Sequence, residues 1–227
     1  LQVLAGGPPR SAVNLAYLPP HVLEALRPFL DLAERLGRLL GTLAPKPLRQ
    51  VCLSVRGEVA RHEGSYLIRA ALVGLLQGDL EQLNLVNADY LARQRGIQVS
   101  ETRSAEKAPY GSLLELRVEA GDSELCAAGA LIGDDLPRLV ELDGFRISTV
   151  LRGVKLLTRQ QDRPGLVGGV GSILGEHRVN IADMQVGRQE VGNRAVMVMS
   201  LDDQPPAEVL PRILELPGIE EACLIGL

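Results

Sequence analysis

Tryptophan is absent from the 227 residues, and there are only two phenylalanines and four tyrosines. A surface that stacks bases on aromatic side chains is therefore excluded. An excess of positive charge is missing too. The 24 Lys+Arg face 28 Asp+Glu, for a net charge of -4, which argues against a general nucleic-acid binder. Cysteine is scarce: Cys52, Cys126 and Cys223 stand far apart, with no C-x-x-C pair. That excludes an iron–sulfur or zinc framework and leaves three small buried thiols in a reducing cytoplasm. His21, His62 and His177 have no ligand-type spacing, so no metal is expected. His177 belongs near a helix C-terminus, where its ring can meet free carbonyls. No apolar run approaches the ~20 residues that span a bilayer, and no signal-peptide pattern opens the chain. The chain starts at Leu1 rather than Met, which suggests a piece of a longer protein.

What is present is aliphatic and periodic. Apolar residues make up 46% of the chain, enough for a packed core of Leu, Val, Ile and Ala. Residues 1–19 are rich in Gly and Pro and read as a linker. From Pro20 to about Leu43, Leu23, Leu26, Leu30, Ala33, Leu36 and Leu40 follow helical spacing, with Pro28 expected to begin a second helical piece. Residues 48–57 alternate as a half-buried strand, and 63–78 predict an apolar helix. Residues 84–96 predict a short strand, Asn87 as an N-cap, and a helix stopped by Gly96. Strands follow at 97–103, 112–119 and 124–132, the last two joined by AGDS. A hairpin over 138–148 turns on Asp143-Gly144. This segment is α+β. Residues 153–226 then read strand, helix, two strands joined around Gly192-Asn193, helix, strand: the βαββαβ order of a ferredoxin-like fold.

The stretch DRPGLVGGVGSILGEHRVNIADM, 162–184, contains G-x-G-x-x-x-G at Gly169, Gly171 and Gly175. In a dinucleotide fingerprint the glycines lie in the turn between an apolar strand and its helix. Here the turn is Asp162-Arg163-Pro164-Gly165, with Pro164 expected at the first helical position. The three glycines then fall inside the helix, and no acidic residue closes a second parallel strand. Leu166, Val170, Ile173, Leu174 and His177 share one face. Gly168, Gly171, Ser172 and Gly175 form a stripe of small residues; each interior glycine costs ~0.5–1 kcal/mol relative to Ala, which close approach to a neighbouring backbone could offset. The free N–H groups at Pro164–Leu166 make an anion site. Asp162 can accept from an ammonium, and Asn180 offers both donor and acceptor. Together these describe a free amino acid. On residue types alone, Asp162 capping the helix and Asn180 making a turn is the stronger reading.

The pattern D-x-P-G, then G-x-x-L, then V-N-I resembles an ACT domain, the small-molecule-sensing module of amino-acid metabolism. PRSAVNLAYLP at 9–19, FLDLAERLGRLLGTL, VRGEVA at 55–60 and NLVNADYLARQRGI at 84–97 resemble, in order, the catalytic exit, linker helix and intervening domain of long-form D-3-phosphoglycerate dehydrogenase. The resemblance implies three parts: a catalytic tail and linker helix over 1–44, an intervening (allosteric substrate-binding) domain over 45–149, and an ACT domain over 150–227. It implies that NAD and the catalytic Arg, Glu and His belong to an upstream half, so no cofactor and no turnover are expected of this chain alone. It places L-serine, as feedback inhibitor in serine biosynthesis, at ACT–ACT interfaces of a homodimer or homotetramer. The contacts would be Gln160, Asp162, Pro164, Gly165, Leu166, Asn180 and Ile181. At Gln160, family members often carry His or an aromatic. In the intervening domain the resemblance implies an anion site at Arg138 and Arg146, although the next expected basic position carries Ser148. Arg103, Lys107 and Tyr110 form a further polar cluster. Other readings are a ligand-free oligomerisation module, the small-molecule half of an iron–sulfur serine dehydratase, which lacks its cysteine cluster here, and a transcription factor, which lacks its helix-turn-helix.

Overall fold

A computed structural model describes residues 20–62, 64–78, 82–133, 135–189 and 192–227. The expected linker at 1–19, and the likeness carried by 9–19, lie outside the described residues. Helix α1 (Pro20–Leu43) is amphipathic and runs unbroken through Pro28, where a restart was expected. Proline removes one helical hydrogen bond, the one to the carbonyl of Glu24. Glu24 is exposed to water, and Leu26, Leu32, Leu36 and Leu40 are buried on both sides of the proline, so packing carries the helix across it.

A six-stranded sheet is built from β1 (Leu48–Gly57), β2 (Gln98–Ser104), β3 (Ser112–Ala120), β4 (Ser123–Ile132), β5 (Leu136–Leu142) and β6 (Phe145–Val150), in the order β2-β1-β3-β4-β5-β6. Only β2 runs parallel to its neighbour, β1. Helices α1, α2 (Tyr66–Leu76) and α3 (Ala88–Gln94) accompany it. Alternation fixes its two faces. Val51, Leu53, Val55, Leu114, Leu116, Val118, Ala127 and Leu139 lie in the core with α1 and α2. The opposite face buries a smaller cluster of Ala108, Leu113, Ala128 and Ala130. The expected short strand at 84–86 is a turn instead: Asn84 Oδ1 accepts from the N–H groups of Val86 (2.9 Å) and Asn87 (3.2 Å), while Asn87 Oδ1 accepts from the Asn84 N–H (2.9 Å). Asn87 does precede α3, but its side chain serves this turn rather than capping the helix.

Helix α1 is no detached linker. It crosses α2 through glycines: a Cβ on Gly37 would lie 2.0 Å from the Ala71 carbonyl oxygen, and one on Gly74 would lie 1.9 Å from that of Glu34. The backbone contact anticipated for the helix at 166–176 occurs here instead.

The second unit has β7 (Val154–Gln161), α4 (Leu166–Glu176), β8 (Ile181–Arg188), β9 (Arg194–Leu201), α5 (Val209–Leu214) and β10 (Ile219–Gly226). Its sheet order β10-β7-β9-β8, antiparallel throughout, is the ferredoxin-like arrangement. One face packs Leu156, Met197 and Met199 against Val170, Ile173 and Leu174 of α4. The other face contributes Leu157, Val196, Val198 and Ile225 to the core of the first unit. The two sheets therefore share a hydrophobic seam, fixed also by an Arg159–Asp143 ion pair of 2.7 Å.

Candidate functional site

The turn after β7 opens α4, as expected, but α4 begins at Leu166, two residues later than Pro164. Gly165 has φ 92, a left-handed conformation that a side chain resists. It precedes α4 with no side-chain cap. Asp162 does not cap α4 either. Its Oδ2 accepts from Arg188 Nη1 at 3.2 Å and from the Gly192 N–H at 3.2 Å, and its own N–H donates to the Asn193 carbonyl at 2.7 Å. The carboxylate thus already holds a cation, and that cation is the missed residue. Arg188 was legible in principle. A hairpin turning at Gly192-Asn193 pairs Arg188 with Ala195, which also pairs with Gln160.

Gln160 is 3% exposed. Its Oε1 accepts from Thr158 Oγ1 at 2.5 Å, on the α4 side of the sheet by strand alternation. The glycine stripe of α4 faces open space: a Cβ on Gly168, Gly171 or Gly175 would meet nothing within 4 Å, and one on Gly169 would touch only Leu216. The glycines are helical and sit beside an antiparallel sheet, so the pyrophosphate geometry is not formed. His177 meets its carbonyl, with Nδ1 2.8 Å from the Ile173 oxygen.

Asn180 and Ile181 do not join Asp162 within one chain. Ile181 pairs with Leu201, which pairs with Val154 at the start of β7, while Asp162 follows its end. The eight residues of β8 separate the two groups by about 23 Å at ~3.3 Å per residue. Asn180 Nδ2 instead donates to Asp202 Oδ2 at 2.6 Å. The set predicted as one amino-acid site is split between the two ends of the sheet.

On the face of the six-stranded sheet away from α1 and α2 lies a groove of about 510 Å³, lined by Arg56, Tyr110, Glu115, Arg146, Ser148 and Gln185 among others. Arg146 enters it. Arg138 does not line it; its Nη2 donates to the Ser148 carbonyl at 2.8 Å. Arg56 sits 3.7 Å from Glu115. The Arg103–Lys107–Tyr110 cluster is dispersed. Arg103 ties the His62 and Gly64 carbonyls and Glu101, whereas Tyr110 borders the groove. Arg56 and Gln185 escaped notice because each is separated by long stretches of sequence from the others.

Between the sheets, Lys155 is 2% exposed and donates to Ser200 Oγ at 2.5 Å. Burial lowers its pKa, the Asp183 carboxylate opposes this, and Arg138 adds to it. Burial also pushes the Cys126 and Cys223 thiols up to about 11, so neither is a ready nucleophile near neutral pH; both, like Cys52, are half-buried rather than fully buried. Among the described residues, no cluster of metal-ligating side chains is present and no helix is long and apolar enough to cross a membrane.

Two sequence families match. The D-3-phosphoglycerate dehydrogenase intervening domain covers residues 25–143, and the ACT domain covers residues 154–218. The chain is 41% identical over 227 residues to a D-3-phosphoglycerate dehydrogenase of Synechocystis sp., covering 99% of this chain and 41% of that protein. It is 36% identical to one of Methanocaldococcus jannaschii, covering 100% of this chain and 43% of the relative. Identity to D-3-phosphoglycerate dehydrogenase 3, chloroplastic, of Arabidopsis thaliana is 33%, covering 96% and 40%. The chain spans about two fifths of the length of these relatives.

Proposed function

We propose a role for this chain from the family to which it belongs, the D-3-phosphoglycerate dehydrogenases: it is the regulatory and assembly portion of such an enzyme. In this reading an upstream half binds NAD and oxidises 3-phosphoglycerate toward L-serine. The ACT portion binds L-serine between two copies and lowers turnover by favouring one inter-subunit arrangement, a coupling free energy in the sense of linked binding.

The observation that carries this reading is the split site. Among the described residues strand β8 ends its sheet, leaving one edge without a partner strand there, and such edges are natural pairing sites. Antiparallel pairing of two β8 strands about a two-fold axis brings the Asn180 end of one copy to the Arg188 end of the other, beside Asp162. Asp162 would then receive the ligand ammonium in place of Arg188, the first N–H groups of α4 its carboxylate, and the second copy's Asn180 would close the site. The Arg146 groove, with Arg138 at its margin, is the place for an anion in the intervening domain.

Calorimetric titration with L-serine, with glycine and D-serine as controls, alongside a mass measurement of the oligomer, tests this. Stereoselective heat from a dimer or tetramer, lost in both Asp162→Ala and Asn180→Ala, is the expected result. Heat that survives both substitutions sinks the site. A ligand-free assembly module is the second reading. It is favoured by the existing Asp162–Arg188 pair and the Gln160–Thr158 bond, and it predicts no heat from a well-folded oligomer.

A further inference from the structure

Strand β8 has two working faces. Met184 and Val186 point to one side and are 38% and 40% exposed, and Arg188 on that side holds Asp162. The three alternate residues all meet β6, the edge strand of the other sheet. Asp183 Oδ2 accepts from Thr149 Oγ1 at 3.0 Å, and Thr149 is 1% exposed. Gln185 enters the groove beside Arg146, Ile147 and Ser148, and reaches Asp183 Oδ1 at 3.3 Å. At Gly187 the strands come so close that a Cβ would lie 3.0 Å from the Arg146 carbonyl oxygen and 3.1 Å from Ile147 and Phe145. Thus β8 is pinned to β6 at both ends, with a groove-lining side chain between.

The chain connection next to this seam is not a free hinge. Arg35 Nη1 donates to the Leu151 carbonyl at 3.0 Å, and Gly153 and Leu227 exchange two backbone hydrogen bonds of 2.9 Å. Relative movement of the sheets must therefore be carried by the seam.

We propose that β8 is a coupling strand, through which displacement of its free edge or of the Asp162–Arg188 pair is transmitted to β6 and the groove, and the reverse. This deepens the regulatory reading and rests on it, naming the route between its two ligand places. Packed strands shift as units rather than deforming smoothly, and the dependence is reciprocal.

The test needs no effector. Hydrogen exchange is followed by mass spectrometry in this chain and in Thr149→Val, Gly187→Ala and Arg188→Ala. Thr149→Val keeps the side-chain shape and removes one hydrogen bond to a carboxylate. It should speed exchange about tenfold in 181–188 as well as in 145–150, leaving the β3–β4 hairpin unchanged. Arg188→Ala, made on the opposite face of β8, should also speed exchange in 145–150. If Gly187→Ala does not fold, the other two variants decide. Changes confined to the substituted strand, or a uniform rise everywhere, overturn the proposal. Absence of serine binding to the parent chain would instead sink the effector reading, a separable outcome.

Discussion

Lys155 brings an ammonium into the seam between two sheets, where it donates to the hydroxyl of Ser200. Its folded pKa lies below the ordinary lysine value, chiefly through burial. Between the folded and unfolded values the unfolded chain retains a proton that the folded chain has lost, so stability rises with pH across that window. Below the folded value the full penalty of the buried charge remains. Lys155→Met keeps the apolar stem and removes the charge. We expect unfolding at neutral pH to become harder, because the buried charge is gone, with a flatter alkaline rise. Denaturant melts across pH check this, and a large loss of stability would show that Asp183 needs its cation. Residue-scale chemistry of this kind was partly legible. Asp162 stood out through its turn, but Lys155 and Asp183 read as ordinary strand residues, because their burial comes from a second sheet.

At the scale of elements, glycine shows how local sequence misleads. The run in α4 drew attention by density, yet among the described residues a Cβ on Gly168, Gly171 or Gly175 would meet nothing within 4 Å beyond its own helix. Gly37 in amphipathic α1, which also holds Gly41, and Gly74 in apolar α2 carry the tightest backbone contact between the two helices. Gly74→Ala should cost about 1–3 kcal/mol through overpacking against a carbonyl that cannot move aside. Gly171→Ala should be neutral or stabilising in a lone chain, because alanine favours the helix by ~0.5–1 kcal/mol. Thermal denaturation of both variants side by side checks the contrast, and equal effects would refute it. The expected break at Pro28 failed for a related reason: propensity is a local preference, and the buried leucines on either side overrule it.

For the whole molecule, the unpaired edge of β8 is the feature that a second copy would use. Val186 is exposed in the single chain, so Val186→Lys should leave its unfolding temperature unchanged. A lysine there blocks edge pairing, and the variant should show a smaller mass in light scattering than the parent chain. An unchanged assembly would place the interface elsewhere. Such a result would leave the α+β architecture and the family membership standing, since both rest on the single chain.

The sequence by itself determined most of the elements and their order, the strand expected at 84–86 and the restart at Pro28 excepted. Alternation over 48–57 and 112–119, helical spacing over 20–43, and turns such as Asp143-Gly144 are short-range patterns set by backbone period and turn conformation, and they carried the ferredoxin-like plan of 153–226. Tertiary structure alone decided what those elements face. It joined Arg56, Tyr110, Arg146 and Gln185 around one groove and buried Lys155 between two sheets. The physical reason is that period fixes which face a residue occupies, whereas the neighbour across that face is set by packing between segments far apart in the chain.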